Sequence, residues 1–292
     1  MYDNILNGLF SKKGLISASD KADYLKSLQE DVRNIRRAYN NYPVRFDYTN
    51  EKIQAGYLIT YVPHYTDLLH YVLTKTGNKI ANENIEKLLL IGSGPCPEII
   101  GFLRYLNENA SKVIENLKVS IFDIAIDEWK WSRDIVFSEV VPNYPIVKNI
   151  TRNEGKVDIS KIFTYTPNNL NTIVVFQNCL NEISAETHQI FKENANDIVT
   201  KLNNGSYLIM IDLYFQQVHE LMIAVETDIA AKQNCKVIRS ATESAIEHRT
   251  SQINEPIIIT ENLLIDKFGH PNPNYLLPKR KIKFIYSLIQ KT

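Results

Sequence analysis

The chain has 292 residues, 44% of them hydrophobic and 23% charged, with 33 basic and 33 acidic side chains. That is the balance of an ordinary globular protein with room for one large domain, or a domain and a cap, and the zero net charge argues against a surface given over wholly to nucleic acid. Three scattered cysteines (Cys96, Cys179, Cys235) exclude a paired-cysteine metal site, no apolar run approaches the about 18 residues of a membrane span, and Met1–Lys12 lacks the apolar centre of a secretory signal, so a cytoplasmic protein is expected.

Residues 1–80 read as helical. Ser19 can cap a helix reaching Tyr39, with Tyr24, Leu25, Leu28, Val32, Ile35 and Tyr39 on one face and Arg33, Arg36 and Arg37 largely elsewhere. A second helix should start near Thr49 and break at Val62, which precedes Pro63. A third should run from His64 to Leu73 and stop at Gly77. Tyr57, Tyr61 and Tyr65 are four apart and stack on one side if the helix is continuous.

From residue 84 strands and helices alternate. Strands are expected at Leu88–Ile91, Lys118–Asp123, Pro145–Ile150, Asn171–Gln177, Gly205–Leu213, Ile257–Thr260 and Lys281–Ile289. Helices are expected at Glu98–Asn109, Asp127–Glu139, from the Ser184 cap to Leu202, and over 216–232. Gly269, Pro271, Pro273 and Pro278 mark an irregular loop before the last strand. The alternation predicts an α/β fold: a Rossmann-like, seven-stranded, mainly parallel sheet with helices on both faces, preceded by an N-terminal helical cap. The expected domains are a cap over 1–80 and a ligand-binding domain over 81–292.

The chain is organised around Leu88-Leu-Leu-Ile-Gly-Ser-Gly-Pro-Cys-Pro-Glu98, a buried strand, a glycine turn and a helix start. Such a turn at a strand end is a ligand site in open α/β sheets. It does not fit GxxxxGK[ST], GxGxxG or GxSxG, because Pro97 stands where the third glycine would fall and Ser93 follows Gly92 directly.

Gly92-Ser93-Gly94-Pro95, with Asp123 closing the second strand, resembles the class I S-adenosylmethionine-dependent methyltransferases over residues 84–215. With the cysteines scattered, no metal is expected; the resemblance implies S-adenosylmethionine as cofactor. It implies that Gly92, Ser93, Gly94 and Pro95 approach the methionine part and that Asp123 accepts the ribose hydroxyls. Ile124, Asp158 and Ile159 then lie at the adenine. Gln177 and Asn178, opening the stretch to Glu182, face the sulfonium and the substrate. Tyr57 joins the cofactor contacts from the cap. Tyr61, His64, Tyr65 and His219 are the candidate catalytic groups, with Glu182 a further candidate base.

The expected activity is methyl transfer to a small-molecule or peptide-like acceptor enclosed under the cap, without a membrane partner. An RNA methyltransferase is the alternative if Arg33, Arg36, Arg37, Lys279, Arg280, Lys281 and Lys283 converge on the pocket mouth. A non-catalytic cofactor-binding protein is the third reading.

Overall fold

The computed structural model describes residues 1–166, 169–232, 234–242, 245–249, 254–264 and 281–292. Its first helices have local causes. Helix α1 (Tyr2–Lys13) ends on Gly14 at φ 65, a left-handed cap that glycine adopts without strain. Helix α2 (Ala18–Ser27) is capped by Ser17, which accepts the Asp20 N–H, so Ser17 and not Ser19 starts it. Helix α3 (Gln29–Ala38) follows across Leu28, so the single helix expected to Tyr39 is two. The tight turn at Leu28 keeps Leu25, Leu28, Val32 and Ile35 fully buried.

Asn50 caps α4 (Glu51–Thr60) by accepting the Lys52 and Ile53 N–H groups. The chain breaks at Tyr61 and restarts as α5 (Val62–Thr74), with Pro63 in its first turn, where an N–H would lack a partner anyway. A short α6 (Lys79–Asn82) leads to the sheet.

The alternating part comprises β1 (Lys87–Ile91), α7 (Pro97–Asn109), β2 (Ile114–Asp123), α8 (Lys130–Ile135), β3 (Val147–Lys156), β4 (Thr172–Gln177), α9 (His188–Lys201), β5 (Tyr207–Leu213), α10 (Gln216–Lys232), β6 (Cys235–Arg239), β7 (Ile246–Arg249), α11 (Ile257–Asn262) and β8 (Lys281–Lys291). Among the described residues the strands form one sheet in the order β3-β2-β1-β4-β5-β8-β6, with β7 also paired to β8. Strands β1 to β5 are parallel, and β8 runs antiparallel between β5 and β6. This is the Rossmann-like sheet expected, with β7 as an added eighth strand.

Two expectations fail. Ile257–Thr260 is not a strand: Pro256 starts α11 there, Ile257 is exposed, and Ile259 and Leu263 bury one helical turn apart. Packing on the rest of the fold overrides the β-propensity of three isoleucines. Its place is taken by β6 and β7, whose mixed polar sequences carry little strand signal. Strand β3 also runs six residues beyond the expected Ile150. It is the sheet edge, largely exposed, and its register with β2 rather than an apolar pattern defines it. The expected loop at Gly269, Pro271, Pro273 and Pro278 lies outside the described residues.

The pleat sorts the core. Leu88 and Leu90 of β1 and Ile173 and Val175 of β4 face the N-terminal helices and α7. Their neighbours Leu89, Ile91, Val174 and Phe176 face α9 and α10. Each such buried side chain contributes about 1.5–3 kcal/mol. Gly101 lets α5 cross α7 closely, because a Cβ there would collide with the Thr66 carbonyl. No helix among the described residues is long and apolar enough to cross a membrane.

Candidate functional site

A cavity of about 340 Å³ opens at the C-terminal ends of β1, β2 and β4, a size suited to a small molecule. Its first wall is the turn after β1. Gly92 and Gly94 have φ of 66 and 48, and Cys96 caps α7 with φ 64. Gly92 packs under Cys179, where a side chain would collide, and Gly94 packs closely under the Trp129 indole. Asp123, at the tip of β2, accepts the Gly94 N–H at 2.8 Å and the Ala125 N–H at 2.7 Å. Burial pushes its carboxyl up, and these two bonds work against that. From behind, the fully buried Arg133 of α8 donates to the Gly94 carbonyl at 3.4 Å and the Ile126 carbonyl at 2.5 Å, and pairs with Glu154.

The second wall is the turn after β4. Asn178 is only 6% exposed and takes φ 55, left-handed for a residue with a side chain. Its Oδ1 and Nδ2 both lack a hydrogen-bond partner. An unpaired buried amide costs roughly 1–3 kcal/mol, so its place at the cavity wall marks a position built for a polar ligand. Glu182 follows in a short 3-10 turn and accepts the Tyr48 hydroxyl. Burial lifts the Glu182 carboxyl to about 8, with the Tyr48 bond opposing. Glu98, in the first turn of α7, is lifted to about 8 by burial although it accepts the Ser93 hydroxyl at 2.8 Å. Asp212, behind the second wall, is lifted to about 7 while accepting from Leu180 and Asn181.

The third wall is aromatic. Tyr48 and Tyr57 lie 5.3 and 5.4 Å from the Trp129 ring, and Phe46 lies 4.5 Å from Tyr48. The segment bearing Phe46 and Tyr48 is pinned to the second wall, because the Val44 N–H donates to the Asn181 carbonyl.

The expected cofactor residues Tyr57, Gly92, Ser93, Gly94, Pro95, Asp123, Ile124, Asp158, Ile159, Gln177 and Asn178 all line this one cavity. The expected catalytic residues Tyr61, His64, Tyr65 and His219 do not. Tyr61 and Tyr65 are fully buried behind Tyr57, whose ring stacks on Tyr61 at 4.9 Å. Helical spacing predicts the shared face, but Tyr57 alone reaches the opening. His64 is fully buried against the Tyr2 hydroxyl at 3.2 Å, with Glu255 at 3.8 Å. His219 bonds the Ala241 carbonyl at 2.6 Å.

Arg45, Phe46, Tyr48, Glu98 and Trp129 were not expected at the site. The alternation Val44-Arg-Phe-Asp-Tyr48 was the available signal, hidden in an apparent linker. The three cysteines are free, and no metal-binding cluster occurs among the described residues.

No family model matches the chain, and no curated protein does. Solved structures do resemble it. The N-methyltransferase NodS from Bradyrhizobium japonicum WM9, in complex with S-adenosyl-l-homocysteine, is 8% identical with a TM-score of 0.42, over 89% of this chain and 98% of that one. The YcgJ protein from Bacillus subtilis is 9% identical with a TM-score of 0.41, over 76% and 96%. A TehB-like SAM-dependent methyltransferase from Corynebacterium glutamicum is 11% identical with a TM-score of 0.37, over 77% and 87%. The strand order itself, with an antiparallel strand set between β5 and β6, makes this a Rossmann-like fold of the kind the glycine turn led us to expect.

Proposed function

We propose that the chain is an S-adenosylmethionine-dependent methyltransferase, with residues 1–80 as a helical cap over the Rossmann-like part. The carrying observation is the unpartnered Asn178 amide in a strand-end cavity that also holds the glycine turn and Asp123. When bound, S-adenosylmethionine supplies an already activated methyl group.

The residues fit it. Each Asp123 oxygen already accepts one N–H and keeps a second acceptor site, enough for two ribose hydroxyls. Ile124 and Ile159 offer apolar surface to the adenine, and Asp158 an acceptor for its amino group. Tyr48, Tyr57 and Trp129 exclude water, and their ring faces attract a cation. Among the cavity residues, four carboxylates (Glu98, Asp123, Asp158, Glu182) face one guanidinium, Arg45, which suits a cationic ligand.

The RNA alternative loses support. Arg33 and Arg37 pair with Glu30, Arg36 lies over the Tyr61 ring, Lys281 pairs with Glu247 and Lys283 lies over Tyr214. None of the five lines the cavity; Lys279 and Arg280 lie outside the described residues. The test is calorimetric titration with S-adenosylmethionine and S-adenosylhomocysteine. Micromolar binding of both is expected, and failure of both to bind would end the methyl-donor reading.

A further inference from the structure

Three of the four cavity carboxylates are committed to their own surroundings. Asp123 holds two backbone N–H groups, Glu98 the Ser93 hydroxyl, and Asp158 the Ser160 hydroxyl and Lys161. Glu98 likewise takes a single hydroxyl but is only 2% exposed, whereas Glu182 is half-buried and open to the cavity. Glu182 takes the Tyr48 hydroxyl on its Oε1, and its Oε2 accepts nothing among the described residues. It stands in the turn that also carries the unpartnered Asn178, beside the aromatic wall. A cationic acceptor entering here would draw Glu182 into its charged form, which an anionic one would oppose.

We propose that the methyl acceptor is an amine, that its ammonium form docks between Glu182 and the Tyr48–Trp129 wall, and that Glu182 is the catalytic base that takes its proton. This rests on the methyl-donor reading above. Docking of the ammonium drives the proton held on Glu182 into water, and one N–H proton then passes to the freed carboxylate, which frees the nitrogen lone pair. The lone pair forms the N–C bond as the C–S bond breaks, and the electrons of that bond stay on sulfur, leaving a neutral thioether. The proton then leaves Glu182 for water.

Proton affinity separates this acceptor from others. Asp123 and Asp212 face Glu182 and raise its carboxyl, Arg45 and the Tyr48 bond lower it, and burial dominates, leaving it at about 8. An α-amino group titrates at about 7.7–8.0, so transfer to such a carboxylate is nearly balanced. A hydroxyl near the roughly 15.7 of water would be far uphill.

The test needs no acceptor in hand. The full chain is titrated with S-adenosylhomocysteine and with its analogue carrying CH–NH3⁺ in place of sulfur, which sets an ammonium at the place of the transferred methyl group, where its N–H groups point toward the acceptor's position and Glu182. The analogue is expected to bind at least tenfold more tightly, with proton release at pH 7. In Glu182→Gln the preference should fall below threefold and the proton release vanish, because the analogue loses far more affinity than S-adenosylhomocysteine does. Tyr48→Phe, which removes only the hydroxyl, should cut the preference at least threefold and serves if Glu182→Gln does not fold. Equal binding of the two ligands by the wild type, or a preference that survives Glu182→Gln, would overturn the inference. Failure of the wild type to bind S-adenosylhomocysteine at all would instead remove the reading beneath it.

Discussion

The turns after β1 and β4 face the same cavity and are built on opposite principles. In the first, two glycines and Cys96 take the left-handed backbone, and the Gly94 backbone is partnered on both sides, its N–H by Asp123 and its carbonyl by Arg133. In the second, the left-handed residue is Asn178, its amide has no partner, and burial lifts the neighbouring Glu182 carboxyl to about 8. A satisfied, braced turn suits holding a ligand in a fixed pose. An unsatisfied one stores the energy that a ligand releases on arrival.

Breaking the brace should have the largest effect. Arg133→Met leaves Glu154 and two carbonyls without their cation, and about 3 kcal/mol or more should be lost in urea denaturation. A small loss would mean the first turn stands without Arg133. The second comparison is by pH. Glu98 and Glu182 titrate at about 8 and Asp212 at about 7 when folded, well above their ordinary values. The native state then holds more protons than the unfolded chain from about pH 4.5 to about pH 8, so stability falls across that window and levels off above it. The thermal midpoint should drop as pH rises, less steeply in Glu182→Gln; a flat wild-type profile would contradict the burial of these groups.

Asp123→Asn should weaken S-adenosylhomocysteine binding about tenfold or more, since a hydrogen bond to a charged acceptor contributes about 1.5–3 kcal/mol. Unchanged affinity would remove Asp123 from the ribose. Asn178→Gly relieves the left-handed backbone and removes the orphaned amide, so a gain of up to about 1 kcal/mol in stability is expected, with turnover lost. A destabilised variant would mean that the Asn178 amide is satisfied in the native protein. The smallest effect belongs to Tyr61→Phe, behind Tyr57, where no change in ligand affinity should be measurable.

The first turn was legible because glycine and proline are local instructions: Gly92, Gly94 and Pro97 fix the backbone by themselves, and Asp123 ends an apolar run. The aromatic wall was not. Phe46 and Tyr48 reach the cavity because Val44 is tied to Asn181, more than 130 positions away, and no local pattern encodes that bond. The helical period placed Tyr57, Tyr61 and Tyr65 on one face correctly, but it could not tell which of three equivalent rings would meet the opening. Ile257–Thr260 failed for the converse reason: a strong local preference yielded to Pro256 and to the burial of Ile259 and Leu263.

The position of β8 bears on how the chain is made. It completes the sheet by inserting between β5 and β6, yet it follows both in sequence. As the chain leaves the ribosome, β5 exists before its antiparallel neighbour, and every residue from Tyr207 to Leu213 is buried in the end, all of them apolar or aromatic except Asp212. Until residue 291 has emerged, that strand has an open edge able to pair with the wrong partner. Synthesis stalled after β7 should therefore yield an aggregation-prone intermediate, and prompt delivery of β8 is what makes this fold safe to build.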